Sequence, residues 1–261
     1  MHSTWIQRTL IAGGIAALCS TSAFAEEADL AKQLANPVSS LISVPIQFNY
    51  DHNIGPADGS RTSAILMPVV PFSLNEDWNM ISRTILPVID QTDIAGASGR
   101  QTGLGDTVQS LFFGPKMPTS AGVIWGVGPV LLLPTATDKL LGTEKWGAGP
   151  TGVALVQDGA WTYGGLFNHI WSFAGEKQRT DVNATFIQPF VTYITPTKTT
   201  FSLNIESTYD WTGKGQWSVP VHLGVSQLLK VGNQPFQIGL AGRYWAASPD
   251  NGPSGWGVRS T

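Results

Sequence analysis

The stretch Trp217-Ser218-Val219-Pro220-Val221-His222-Leu223-Gly224-Val225-Ser226-Gln227-Leu228-Leu229-Lys230 decides the fold. Trp217, Val219, Val221, Leu223, Val225 and Leu229 share one parity, and Ser218, Pro220, His222, Gly224, Ser226 and Lys230 the other. Successive side chains of a strand point to opposite faces, so one face can meet lipid and the other a wet interior. Thr200 to Trp211 repeats the pattern, with Phe201, Leu203, Ile205, Tyr209 and Trp211 set against Thr200, Ser202, Asn204, Glu206, Thr208 and Asp210. Neither set builds a helical stripe.

Outward from these two segments, the chain beyond Leu41 is a train of alternating stretches of about ten residues, which is how a transmembrane β-barrel looks in sequence. Strands are expected at 41–50, 62–74, 78–89, 107–115, 123–133, 150–156, 161–173, 182–194, 200–210, 217–229 and 236–245, with a twelfth beginning near Val258. Asn75-Glu76-Asp77, Gln157-Asp158-Gly159-Ala160, Thr195 to Lys198 and Val231 to Pro235 read as tight turns. Longer connections are expected at Asp51 to Arg61, Asp90 to Asp106, Thr135 to Gly149, Ala174 to Asp181 and Ala246 to Gly257. The fold class is therefore all-β, an antiparallel transmembrane β-barrel of about 12 strands, with short turns and the N-terminus on the periplasmic side.

The end of the chain departs from this pattern. Outer-membrane barrels usually finish on an aromatic residue, but this chain stops at Val258-Arg259-Ser260-Thr261. The last strand is thus expected to be a truncated stub that leaves Ile42, Val44, Ile46 and Phe48 beside an open seam, where unpaired backbone groups cost several kcal/mol each in hydrocarbon.

Residues 1–25 read as a secretory signal: Arg8 gives a positive start, Leu10 to Leu18 an apolar core, and Ala23-Phe24-Ala25 a cleavage site before Glu26-Glu27. The apolar run is too short for a membrane helix of about 20 residues. Residues 26–40 form a periplasmic lead-in, in which Leu30, Ala31, Leu34 and Ala35 could make a short amphipathic helix, either solvated or tucked into the lumen or its rim. Residues 41–261 form the outer-membrane barrel. The only cysteine, Cys19, leaves with the signal, so disulfides, thiolate metal sites and cysteine nucleophiles are excluded from the mature chain.

A net charge of -3 with no basic arm argues against a nucleic-acid partner, and a mean hydropathy of +0.04 suits a precursor that must cross the inner membrane. The expected partners are outer-membrane lipids, a small-molecule solute and the barrel insertion machinery. Of ten tryptophans, Trp5 lies in the signal; Trp78, Trp161, Trp171, Trp211, Trp217 and Trp245 fall near strand ends, as in the two aromatic girdles of a barrel. A soluble β-sandwich would leave such faces as exposed apolar patches.

The runs Ala35-Asn36-Pro37-Val38-Ser39-Ser40-Leu41-Ile42-Ser43-Val44-Pro45, Trp78 to Pro87, Gly103-Leu104-Gly105-Asp106-Thr107 and Asn168-His169-Ile170-Trp171-Ser172 resemble the outer-membrane family named for the MetA pathway of phenol degradation. The resemblance spans nearly all of the mature chain. It implies a barrel that takes up or exports small compounds, aromatic or hydrophobic ones among them.

No catalytic, metal or cofactor residue is expected. Gly103-x-Gly105 lacks the third glycine of a dinucleotide loop and precedes a strand; it reads instead as a loop re-entering the barrel, with Asp106 bonding nearby backbone amides. His222 and Ser226 lie four apart in one strand, roughly 13 Å at the usual rise, so they cannot touch as parts of a triad. A triad assembled across strands stays open, and with it a lipid-active barrel enzyme as the alternative to a channel or transporter; a structural barrel without transport is the third reading.

What the parity offers is a polar inner wall. Ser43, Gln47 and Asn49 should face inward from the first strand, Asn79 and Arg83 from the third, Asn204, Glu206 and Asp210 from the ninth, His222, Ser226 and Lys230 from the tenth, and Gln237 and Arg243 from the eleventh. A guanidinium facing lipid at mid-depth costs about 2–4 kcal/mol, so Arg83 should turn inward and pair with a carboxylate such as Glu206. Such pairs either select solutes or fill and rigidify a narrow barrel.

Overall fold

The computed structural model describes residues 29–232 and 234–261. The signal segment 1–25 lies outside them. Strands β1 (Ile46–Ile54), β2 (Gly59–Leu66), β3 (Val69–Ser73), β4 (Trp78–Thr92), β5 (Arg100–Leu104), β6 (Thr107–Pro115), β7 (Val123–Leu133), β8 (Lys145–Asp158), β9 (Trp161–Gly175), β10 (Asn183–Ile194), β11 (Thr199–Ile205), β12 (Ser207–Asp210), β13 (Gln216–Val231), β14 (Gln234–Ala247) and β15 (Gly255–Ser260) pair antiparallel into one closed sheet. Three pairs of segments are continuous staves with a local break, β2/β3, β5/β6 and β11/β12, which leaves a barrel of twelve staves.

Each break has a local cause. Pro68 has no N–H to give the ladder, so β2 ends before it and β3 begins after it while both keep pairing with β4. Between β5 and β6 the pairing with β4 moves from Val88↔Leu104 to Ile85↔Val108, a one-residue bulge at Gly105-Asp106. Residues 103–106 are therefore strand and bulge rather than the re-entrant loop their glycines suggest. The role expected of Asp106 is found: Oδ1 accepts from the Ala136 amide at 3.3 Å, and Oδ2 from the amide and hydroxyl of Thr143 at 2.6 Å each.

Two further expectations change. The first connection is not a long loop, because β1 and β2 extend past Asp51 and Arg61 to a tight turn at 55–58 with Gly55 at φ 71°. Nor is the final strand an unpaired stub. β15 pairs with β14 from Leu240↔Ser260 to Trp245↔Gly255, and with β1 at Phe48↔Ser260, Asn49↔Arg259 and Tyr50↔Val258, which closes the ring. Gly239 and Thr261 add two reciprocal backbone bonds of 2.8 and 3.0 Å.

The outer face is apolar where the alternation placed it. Phe48, Phe201, Leu223, Ile238 and Leu240 point away from the lumen and are exposed. Trp78 and Trp161 ring the end from which β1 starts, here called the near end, while Trp146, Trp171, Trp211, Trp217 and Trp256 ring the far end. Trp245 leaves the girdle. It shares the inward parity of Arg243, and its Nε1 donates to Asp51 Oδ1 at 2.9 Å.

The inner wall is divided rather than polar throughout. Val69, Ile81, Phe112, Val153, Leu155 and Leu166, with Phe186 and Phe190, pack as a buried apolar wall, and Val38 of the lead-in joins them from inside. Burying such side chains contributes about 1.5–3 kcal/mol each. The polar wall lies opposite, on β1, β2 and the staves from β11 to β15.

Candidate functional site: the lumen

Both ends of the lumen are narrowed by chain folded into it. Residues 29–34 form a helical turn and a half whose Ala31 is buried against Ile194 and Leu228, with Leu30 and Leu34 alongside. Gln157 Nε2 donates to the Lys32 carbonyl at 2.8 Å, which ties this helix to β8. Of the two alternatives for the lead-in, it is thus tucked inside the near end. At the far end, loop 134–144 turns inward: Leu141 is buried against Gly103 and Gly105, and Gln91 Nε2 donates to the Leu140 carbonyl at 3.0 Å. Arg179 holds the same loop from outside, donating to the carbonyls of Lys139, Gly142 and Thr143 and pairing with Glu144 at 3.2 Å.

Behind that loop, buried Lys145 pairs with exposed Asp181 at 2.8 Å. The Lys145 ammonium and the Ser172 hydroxyl hold the Asp181 carboxyl below its ordinary range.

Between the two plugs lies a cavity of ≈ 320 Å³. This is at the small end of the range of about 300–1,000 Å³ for small-molecule sites. Leu166 and Phe190 line it from β9 and β10, Met67 and Val69 stand beside Arg83 at the β2/β3 stave, and Asn204, His222, Arg259, Gln188 and Gln237 add polar groups.

The polar side is an extended charged network. Glu206 sits at the β11/β12 break with its side chain inward, and Arg259 of β15 meets it with two bonds, Nη1 to Oε1 at 2.7 Å and Nη2 to Oε2 at 3.0 Å. Arg259 Nε also donates to Asn49 Oδ1 at 2.6 Å, and Asn49 Nδ2 reaches Ser63 at 3.4 Å. His222 Nε2 lies 3.4 Å from Glu206 Oε2, a long contact with no formed hydrogen bond at either ring nitrogen. Higher up, Arg243 Nη1 pairs with Asp51 Oδ2 at 2.8 Å and its guanidinium stacks 4.4 Å over Trp245, while Arg61 Nε donates to Gln91 at 2.9 Å. Four guanidinium groups, of Arg61, Arg83, Arg243 and Arg259, thus share the wall with the two carboxylates of Asp51 and Glu206.

Of the candidates read from parity, Gln47, Arg83, Asn204, His222 and Gln237 line the cavity, with Ser43 and Ser226. Asn49, Glu206 and Arg243 stand behind it in the charged network. Three lie elsewhere. Asn79 and Lys230 are at the near rim, and Asp210 is exposed at the far end, where its Oδ1 accepts from Thr212 N and Oγ1 at 2.8 and 2.6 Å and caps the turn 211–215.

The expected Arg83–Glu206 pair does not form. Glu206 is taken by Arg259, and the contact of Arg83 is Met67 Sδ at 3.9 Å. Asp51 and Arg259 were missed for a common reason: one was assigned to a loop and the other to a stub. Extending the parity of Gln47 and Asn49 by one step reaches Asp51, and Trp256 and Val258 on the outer face leave Arg259 inward.

His169 lies outside the lumen, on the face of exposed Phe167 and Trp171, with Nδ1 2.7 Å from Thr185 Oγ1. The two strand histidines are therefore on opposite faces, and neither ring nitrogen of His222 meets a hydroxyl among the described residues.

Among solved structures, the chain is similar to an outer membrane channel from Pseudomonas putida F1, with a TM-score of 0.60 and 16% sequence identity over 84% of this chain and 95% of that one. That likeness is one of fold. No family model and no curated protein matches the chain, so the phenol-degradation resemblance rests on its quoted motifs.

Proposed function

We propose that the protein is an outer-membrane channel or transporter for small solutes, with the near end periplasmic and residues 1–25 removed on export. The observation that carries this reading is the cavity itself. It lies inside a closed barrel with an apolar exterior, between two segments folded into the lumen, a terminal lead-in and a connecting loop. The solved outer membrane channel of like fold supports it. A gated path could be made by shifts of these two segments, since the barrel wall keeps its own backbone groups paired meanwhile.

The lipid-active alternative draws less support: on the outer face His169 Nδ1 lies 2.7 Å from Thr185 Oγ1 but its Nε2 meets no acid among the described residues, and His222 approaches an acid but no hydroxyl. The test reconstitutes the mature chain in planar bilayers and liposomes, with a lipid-hydrolysis assay run in parallel. Single-channel currents and swelling in small neutral solutes are expected, and lipid release is not. A silent bilayer with active lipid hydrolysis would reverse the assignment.

A further inference from the structure

Among the described residues, Arg83 lines the cavity with no carboxylate in hydrogen-bond contact. Its guanidinium offers five donors in a planar fork, and the contact it makes is with the thioether sulfur of Met67, a weak acceptor. Glu206 reaches it only through space, with no hydrogen bond between them. Oε1 already accepts from Arg259 and from Asn204 Nδ2 at 2.7 and 3.3 Å, and Oε2 from Arg259 at 3.0 Å. Asp51 is likewise engaged by Arg243 and Trp245.

Nearby polar groups are also free to engage. Thr192 Oγ1 and His222 Nδ1 are buried without a hydrogen-bond partner among the described residues, His222 Nε2 has only its long contact with Glu206 at 3.4 Å, and both residues line the cavity. Buried polar atoms are normally satisfied, so their lack of partners at one cavity points to a ligand that supplies them. Across the lumen from Arg83, Leu166 of β9 and Phe190 of β10 present apolar side chains to the cavity.

We propose that this cavity binds a small amphiphilic carboxylate, with the carboxylate on Arg83 and the hydrocarbon or aromatic part on Leu166 and Phe190. A planar carboxylate matches the guanidinium fork with two parallel bonds. A phosphate monoester would bring similar acceptors but a second charge and a bulkier head. The apolar wall sets the other requirement, excluding small hydrophilic anions from tight binding. The inference deepens the channel reading, in that the bound acid would be the solute, and rests on it for that part alone.

The probes are phenylacetate and its neutral isostere phenylacetamide. Calorimetry on the detergent-solubilised mature chain reads binding whether or not the barrel conducts. Phenylacetate is expected to bind at least tenfold more tightly than phenylacetamide and than acetate. Arg83→Gln should remove the preference for the acid, and Arg83→Lys, which keeps the charge but not the fork, should restore part of it. Equal binding of acid and amide by the unaltered chain overturns the proposal, as does acetate binding as well as phenylacetate. These comparisons need no variant, so a misfolded Arg83→Gln leaves them decisive. Neutral-solute swelling of liposomes is scored separately: its absence counts against the channel, while equal acid and amide binding counts against the carboxylate site.

Discussion

Arg259 and Glu206, 53 positions apart, meet through two hydrogen bonds inside the barrel and join the last strand to the β11/β12 stave across the inner face of β13 and β14. The same guanidinium bonds Asn49 of β1. One side chain thus holds both flanks of the closing strand.

Arg259→Gln should therefore destabilise the barrel by about 3–5 kcal/mol, because it leaves the Glu206 carboxylate buried without its partner. Glu206→Gln combined with Arg259→Gln removes the stranded charge and should be less harmful than Arg259→Gln alone. Urea titration of the refolded protein, followed by the heat-modifiable gel shift, reads both. A double variant as unstable as the single one would contradict the role of the pair.

The outer face gives a second test. Leu223→Arg places a cation in lipid at a cost of about 2–4 kcal/mol and should block insertion into liposomes. Gly224→Arg is a poor control, since a Cβ at Gly224 would stand 2.9 Å from Ser202 Oγ and 3.0 Å from the Ala241 Cβ. Ser226→Arg, on the cavity side, is the better comparison and should insert much more efficiently than Leu223→Arg. Equal folding yields would overturn the assignment of faces.

Removing residues 29–38 should widen the path. The segment fills the near end and contributes Ala31 and Val38 to the two buried apolar clusters, so its deletion should raise single-channel conductance several-fold. Conductance unchanged from the full mature chain would show that the constriction lies elsewhere, and loop 134–144 would be the next segment to remove.

The Lys145–Asp181 pair predicts a pH response at the far end. The Asp181 carboxyl titrates lower in the folded protein than in the unfolded chain, where an ordinary aspartate has a pKa of about 3.9. Its contribution is then fully present above that value and is lost as pH falls through the lower, folded one. Protease sensitivity of loop 176–182 should be flat from about pH 8 to 5 and rise below about pH 4. Asp181→Asn should be sensitive at every pH. A protected loop in that variant would mean that Arg179 and its carbonyl partners suffice.

The alternation from Trp217 to Lys230 was enough to read the barrel and its faces, because one face of that strand is apolar and the other is not. The same logic gave no purchase on β6 to β9. There Phe112, Val153, Leu155 and Leu166 point into the lumen while Val127, Leu131 and Phe167 point outward, so both parities are apolar and no pattern marks the inside. The apolar wall was invisible for that reason, and with it Leu166 of the cavity lining. Arg83 was placed correctly on the inner face, but its partner was not, since which carboxylate a buried arginine meets depends on strands far away in sequence. Arg259 meets Glu206 because only β13 and β14 lie between their staves, whereas Arg83 on β4 stands across the lumen.

The division of the interior into an apolar and a hydrogen-bonding wall gives the barrel a left and a right as well as a top and a bottom. A round, uniformly polar bore sorts molecules by width and charge and is indifferent to how they spin about its axis. Here a two-faced guest has one rotational setting that satisfies both walls, and a guest polar on all sides has none. Were the barrel to pass solutes as proposed, it would therefore sort them by azimuth as well as by width.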